Sequence, residues 1–340
     1  MPLSRKDFIK LSGLTTLSSM AGLPDALEKN IRASQRLIKP KPLQKGDTLG
    51  LVAPGSPIYK KMDFDRMLLN LEALGFKLKL GKHVRDRYGY LAGRDEDRAE
   101  DLMKSFTDPE IDGIVCIRGG WGCNRILPLL DFQQIAEHPK FFMGFSDITS
   151  LHMAIQKKTG LVTFHGPVGK SEWTPFTTQS FKEVAWKGKR ATYPVPDYSS
   201  SYIINEGKTK GKLLGGNLSV LVAMIGSGYL PDFNQSILFL EDVGESVYRI
   251  DRMLTQLKLA GILDQLSGFI FGKCTDCSAG ANSLSLKQVF EDHIKPLGIP
   301  AYHGAMISHE DDNVTIPIGL KAEMDANKQI FRLTEAPVQL

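Results

Sequence analysis

The chain has 340 residues, of which 42% are hydrophobic and 24% charged, and its formal net charge is +4. A chain of this size and balance can bury a sizeable core and is expected to form about two domains. The positive excess is too small and too evenly spread for a nucleic-acid surface, and there is no run of five like charges, low-complexity tract or internal repeat.

Residues 1–40 are set apart from the fold. Arg5, Lys6 and Lys10 lead into a weakly apolar stretch rich in Gly, Ser and Thr, running from Leu11 to Leu23. This resembles a twin-arginine export signal with Lys6 in place of the second arginine, so a periplasmic or otherwise exported location is expected. A frayed amphipathic helix on a cytoplasmic protein is the alternative. The stretch is too short and too polar for a stable membrane span. Lys39-Pro40-Lys41-Pro42 then reads as an extended linker, because repeated prolines resist helix.

Residues 41–170 read as an α/β domain. Thr48 to Ala53 forms a buried strand ending at the turn cluster Pro54-Gly55-Ser56-Pro57. Phe64, Met67, Leu68 and Leu71 share one helix face, as do Ala99, Leu102, Met103 and Phe106 in a helix that stops before Asp108-Pro109. Strands follow at Gly113–Ile117, Phe141–Phe145 and Leu161–Phe164, separated by a glycine-rich loop and helices. Alternation of this kind implies a mainly parallel sheet covered on both faces, with ligands beyond the carboxyl ends of its strands. The loops after Ala53, Ile117, Phe145 and Phe164 should therefore line one crevice.

From about 168 to 208 the periodicity fades, and Pro175, Pro194, Pro196 and Ser199 to Ser201 suggest an inter-domain connection over 171–208. Residues 209–340 read as a smaller α/β domain with a mixed sheet. It has strands at Gly211–Leu214, Ser236–Leu240, Gly268–Phe271, Val314–Ile316 and Ala322–Asp325. One helix starts at Asn217, and another carries Ile250, Met253, Leu254 and Leu257 in register.

The sharpest chemical signal is Gly144-Phe145-Ser146-Asp147, between a strand and a helix. A serine there is exposed, with helix amides nearby to steady negative charge. Ile148 breaks the G-x-S-x-G pattern, and a plain helix cap by Ser146 or Asp147 is the competing reading. A serine nucleophile needs a base and an orienting acid. Of the 7 histidines, His83, His138 and His293 read as surface positions and His152 as a helix residue facing the core. His165, His303 and His309 remain open as bases. Glu241 and Asp242 leave the end of a buried strand and are the acid candidates, unless they pair with Arg249 or Arg252. The glycines of Arg118-Gly119-Gly120-Trp121-Gly122 allow backbone amides close to a ligand, as in an oxyanion hole. A phosphate loop is disfavoured because the P-loop Lys-Ser/Thr is missing. Among the 4 cysteines, Cys116 reads as a buried small hydrophobe. Cys274 and Cys277 form a lone C-x-x-C, read as structural or incidental, with a disulfide or redox pair as the alternative.

These residues together resemble the LD-carboxypeptidase family. Arg118-Gly119-Gly120-Trp121-Gly122 with Pro128 and Asp131 is similar to its R-G-G-Y-G…L-P…D pattern. Gly144 to Asp147 resembles its G-Y-S-D turn, His165-Gly166-Pro167 its H-G-P, and Leu214 to Leu218 its G-G-N-L. Glu241-Asp242 with Asp251 to Leu254 resembles E-D…D-R-M-L, and His309 with Pro317-Ile318-Gly319 its H…L-P-x-G ending. The likeness runs from about Gly46 to Asp325. It implies an amidotransferase-like parallel-sheet N-terminal domain and a smaller swivelling β/β/α C-terminal domain. It implies Ser146 as nucleophile, His309 as base and Glu241 as its orienting acid, with Gly120, Trp121 and Asn217 at the oxyanion and substrate. It further implies cleavage of the amide bond before the terminal D-amino acid of murein tetrapeptides, no metal or cofactor, and a homodimer. A microcin-immunity-like amide hydrolase and a non-catalytic muropeptide-binding protein are the rival expectations. Trp121 stands where the family more often has Tyr, which removes a phenolic oxygen.

Overall fold

The computed structural model of the chain describes residues 37–196 and 201–340. The export-signal reading of Arg5 to Leu23 lies outside the described residues. Among the described residues no helix is long and apolar enough to cross a membrane.

The first half alternates as expected. Strands β1 (Thr48–Val52), β2 (Lys77–Leu80), β3 (Gly113–Cys116), β4 (Phe141–Gly144) and β5 (Thr163–His165) are linked through helices. These are α1 (Lys61–Ala73), α2 (Asp95–Thr107), α3 (Cys123–Ile126), α4 (Phe132–Glu137) and α5 (Thr149–Thr159). β3 and β4 are buried along their whole length, as a parallel sheet covered on both faces demands. α2 opens with Asp95, Glu96 and Asp97, whose charges suit the positive end of a helix. α5 ends at Gly160, whose φ of 73° closes a left-handed cap that glycine adopts without strain.

The aperiodic segment is not a bare connection. It holds a helix, α6 (Pro175–Ala185), and strands β6 (Thr192–Pro194) and β7 (Tyr202–Asn205). Pro175, which reads as a breaker, occupies the first helical turn behind the capping hydroxyl of Thr174, where a missing N–H costs nothing. Pro194 is tolerated because β6 is the edge of its sheet.

The second half contributes β8 (Lys208–Asn217), β9 (Ser236–Val243), β10 (Gly268–Thr275), β11 (Ala301–His303), β12 (Ile316–Ile318), β13 (Lys321–Asp325) and β14 (Ile330–Leu333). Its helices are α7 (Leu218–Ala223), α8 (Val247–Leu259) and α9 (Leu286–His293). α8 buries Val247, Ile250, Leu254 and Leu257, one stripe at helical spacing. The strands form an eight-stranded sheet in the order β6-β14-β13-β8-β9-β10-β11-β7. The other sheet has six strands, β12-β5-β4-β3-β1-β2. β12 thus leaves the second half and pairs antiparallel with β5 of the first. The strand expected near Val314 is real, but its partner belongs to the other sheet. Cys274 and Cys277 are joined as a disulfide at the end of β10, where Cys274 pairs in register with Asp242 of β9.

Candidate active site

Ser146 follows β4 in a short 3-10 turn, with a backbone φ of 64°. A non-glycine residue in that region costs about 1–2 kcal/mol, strain of the kind that accompanies functional turns. The capping alternative finds no support, since neither this turn nor α5 is capped by a side chain. Asp147 turns inward, and its Oδ2 accepts the Cys123 amide at 2.8 Å. Burial pushes the Asp147 carboxyl above its usual range against that bond.

The glycine-rich loop lies directly against this turn. A Cβ on Gly119 would meet the Ser146 Cβ at 2.8 Å, and one on Gly120, whose φ is +90°, would meet Ser56 at 2.4 Å. Both positions therefore need glycine. The Trp121 amide donates to Ser56 Oγ at 3.1 Å, so this expected oxyanion donor is already committed. Among the described residues no acceptor takes the Gly120 amide. Arg98 braces the loops from below: its fully buried guanidinium donates to the carbonyls of Pro54 and Gly122 and pairs with Asp95 at 2.5 Å.

From the second sheet, Glu241 stands on β9 with no solvent exposure. Its Oε2 lies 2.7 Å from His309 Nδ1 and its Oε1 accepts from Asn217 Nδ2 at 3.2 Å. Arg249 pairs with Glu245 at 3.6 Å, so the alternative in which that arginine uses Glu241 is not realised. Asn217 also donates to Asp242 Oδ1 at 3.1 Å, while its own oxygen accepts the Val220 amide and the Ser219 hydroxyl, at 3.1 and 2.7 Å. Both amide hydrogens of Asn217 thus serve carboxylates, and the side chain orients the acid instead of facing the crevice. Burial disfavours the charged form of His309, but the hydrogen bond and charge of Glu241, with Asp242 behind it, outweigh burial and hold its pKa above the ordinary 6.5. Burial and the Glu241 charge push Asp242 up to about 6. A carboxylate on Nδ1 directs Nε2 outward, the orientation a general base requires.

Contacts around the site link the three expected residues. The His309 ring packs 4.8 Å from that of Phe145, the residue before Ser146. Thr149, the first residue of α5, accepts the Asn217 amide at 2.9 Å through Oγ1. Gly216, at φ +138°, is held so close to Thr149 that a Cβ would sit 2.5 Å from its hydroxyl. The nucleophile turn, the Gly215–Asn217 end of β8, the acid and the base therefore form one continuous set of contacts across the two sheets.

The other histidines fall away from this set. His152 is buried between Thr163 Oγ1 and the Gly144 carbonyl, at 2.9 and 2.8 Å. His165 is fully buried behind Phe145 and Phe239, with ring separations of 6.0 and 5.4 Å, so it is not open to the crevice as its strand-end position suggests. His303 stacks on Tyr202 at 4.8 Å. His83, read as a surface residue, is half-buried; Nδ1 bonds Asp86 at 2.8 Å and Nε2 lies 3.7 and 3.6 Å from Asp97 and Glu100. That is the one group among the described residues whose donors could converge on a cation, and Glu100 is also paired with Lys104. Sequence reasoning did not single out Arg98, Ser56 or Thr149. Arg98 closes the charged stretch Arg94-Asp95-Glu96-Asp97-Arg98, where nothing local marks one arginine for burial, and no local pattern marks the other two.

Two family models match the chain, the LD-carboxypeptidase N-terminal domain over residues 49–166 and its C-terminal domain over residues 210–324. A probable murein peptide carboxypeptidase of Bacillus subtilis is 43% identical over 295 residues, covering 84% of this chain and 91% of the relative. The solved structure of a microcin C7 self-immunity protein with aspartyl sulfamoyl adenosine superposes with a TM-score of 0.83 at 29% identity, covering 89% of this chain and 100% of the other. A muramoyltetrapeptide carboxypeptidase from Oxalobacter formigenes superposes at a TM-score of 0.76 and 28% identity, covering 86% and 100%. With both family domains matched in order along one chain, this protein belongs to the LD-carboxypeptidase family.

Proposed function

We propose that the protein is a serine carboxypeptidase that removes the terminal D-amino acid from murein tetrapeptides. The observation that carries this is the buried Glu241–His309 pair at 2.7 Å, packed through Phe145 against the strained Ser146 turn. His309 Nε2 takes the hydroxyl proton as Ser146 Oγ attacks the scissile carbonyl. Glu241 stabilises the imidazolium that forms, and the Gly120 amide, which no acceptor takes among the described residues, donates to the developing oxyanion in this reading. The imidazolium then protonates the departing amine, leaving an acyl-serine. A water, deprotonated by the same histidine, cleaves that ester and frees Ser146. Mass analysis of a murein tetrapeptide after incubation tests this: release of one terminal residue by the wild type and none by Ser146→Ala is expected. A product cut elsewhere, or undiminished turnover by the variant, sinks it.

The higher TM-score to the microcin self-immunity structure favours a second reading, hydrolysis of an acyl-sulfamoyl nucleotide. Assaying that substrate beside the tetrapeptide separates the two by their kcat/KM ratio. We also propose export, supported by the signal-like stretch from Arg5 to Leu23. Amino-terminal sequencing of native protein decides it, and an intact start on cytoplasmic material contradicts it. A homodimer is the expected assembly from the family likeness, to be read by sedimentation.

A further inference from the structure

The arginines on the loops and helices that follow β2 and β3 are unevenly partnered. Arg98 and Arg125 both pair with Asp95, at 2.5 and 2.7 Å, and Arg85 lies 4.0 Å from Asp65. Arg118 and Arg87 have no carboxylate within 4.0 Å among the described residues. Each instead uses one N–H on the loop after β1: Arg118 donates to the Pro57 carbonyl at 2.9 Å and Arg87 to the Tyr59 carbonyl at 2.6 Å. Both guanidinium groups also lie beside the half-exposed Tyr59 ring, 5.5 and 5.7 Å from its centroid. Two un-neutralised cations therefore share one tyrosine, and most of their five N–H donors each remain unused.

Their location ties them to the chemistry. Arg118 immediately precedes Gly119, which packs against Ser146. Pro57 adjoins Ser56, whose hydroxyl holds the Trp121 amide. Arg118 thus stands on a loop that covers the nucleophile, and Arg87, on the loop after β2, reaches across to the loop after β1 through the Tyr59 carbonyl. A solitary surface arginine is ordinarily a flexible, solvated chain. These two are fixed by backbone acceptors and by the aromatic ring, which removes much of the ordering cost of binding. A guanidinium fork held in that way matches a carboxylate in two-point geometry.

We propose that Arg118 and Arg87, braced on Tyr59, bind the carboxylate of the substrate's terminal residue. The inference rests on the peptidase reading and adds to it the feature that makes the enzyme act at a chain end. The test compares a murein tetrapeptide as free acid with the same peptide as C-terminal carboxamide. The wild type is expected to favour the acid by at least about 100-fold in kcat/KM, as a charge-assisted pair allows. Arg118→Gln should lower kcat/KM for the acid by about 10- to 100-fold while changing that for the amide by less than about threefold, and Arg87→Gln should act in the same sense by about 3- to 10-fold. The retained amide activity also shows that the variants fold. Equal losses on both peptides, or an unchanged acid-to-amide ratio, overturn the proposal. Calorimetric binding of both peptides to the Ser146→Ala protein separates the two ideas. Tighter binding of the acid by about tenfold or more, in a protein whose wild type cleaves neither peptide, keeps the clamp and removes the peptidase reading. Equal or undetectable binding of both peptides removes the clamp.

Discussion

Glu241→Gln is the most informative single change, because the structure dictates how the new amide must sit. Asn217 Nδ2 donates to Oε1 of Glu241, while Oε2 faces His309 Nδ1 at 2.7 Å. In the variant the amide oxygen is selected beside Asn217, so the amide nitrogen faces Nδ1. Nδ1 must then accept, which places the imidazole proton on Nε2, the nitrogen needed to take the serine proton. The base is present but in the wrong tautomer, and the loss expected for that defect is about 10³- to 10⁴-fold in kcat, or roughly 4–5.5 kcal/mol on the barrier. The pH profile adds a second readout. His309 must be neutral to act, so wild-type kcat/KM should fall as pH drops through its folded pKa, which lies above 6.5. Gln removes the charge that raises this pKa but leaves the burial that lowers it, so the residual activity should lose its acid limb at a lower pH than the wild type. Stability follows the same sign. The pair's contribution is full below the unfolded value of 6.5 and is lost as pH rises through the higher folded value, so the variant should show less gain in melting temperature on acidification. Release of the terminal amino acid is followed from about pH 5 to 9, bracketing the histidine range. A variant that keeps more than about a tenth of wild-type kcat, when a tautomer defect should cost far more, or whose acid limb does not move, refutes the tautomer argument.

Ser146→Gly should abolish turnover yet raise stability by about 1 kcal/mol in denaturant melts, because glycine accepts the φ of 64° without strain; a destabilised variant contradicts it. Gly119→Ala should cost more than about 100-fold in kcat, since its Cβ would lie 2.8 Å from the Ser146 Cβ and 3.0 Å from the Phe145 carbonyl; near-normal kinetics would show that the turn is not so confined. Gly215→Ala should yield little soluble protein, because its Cβ would stand 1.8 Å from the Phe239 carbonyl at a φ of +143°; recovery of a wild-type melting curve refutes this. Reduction of Cys274–Cys277 should lower stability by about 2 kcal/mol from loop entropy alone, seen as a drop in melting temperature with reductant that is absent in the Cys274→Ser/Cys277→Ser protein.

Several determinants were legible in the sequence because they are local. The strand–loop–helix alternation before residue 170 follows from hydrophobic periodicity, and Gly144 to Asp147 falls where a strand gives way to a helix. Glu241 reads as an unusual carboxylate because charge seldom ends a fully apolar run. Elements built from short or edge segments were not legible. β2 is partly exposed along Lys77–Leu80, and α6 begins at a proline that reads equally as a stop.

The sequence by itself determined the ingredients: one serine on a turn, three open histidines, two neighbouring carboxylates and a glycine loop. Only the tertiary structure decided among them. His165 and His309 both remain open as bases in the sequence, but the fold buries the first behind Phe145 and sets the second against Glu241. Asn217 was expected at the substrate, and cross-strand register commits both its amide hydrogens to Glu241 and Asp242. Arg98 sits in a charged helix run yet is fully buried, because two loop carbonyls from distant strands converge on it. Hydrophobic periodicity reports which way a side chain faces along its own element. It carries no information on which distant backbone or carboxylate will meet that side chain, and those meetings are what separate an active-site residue from a core one.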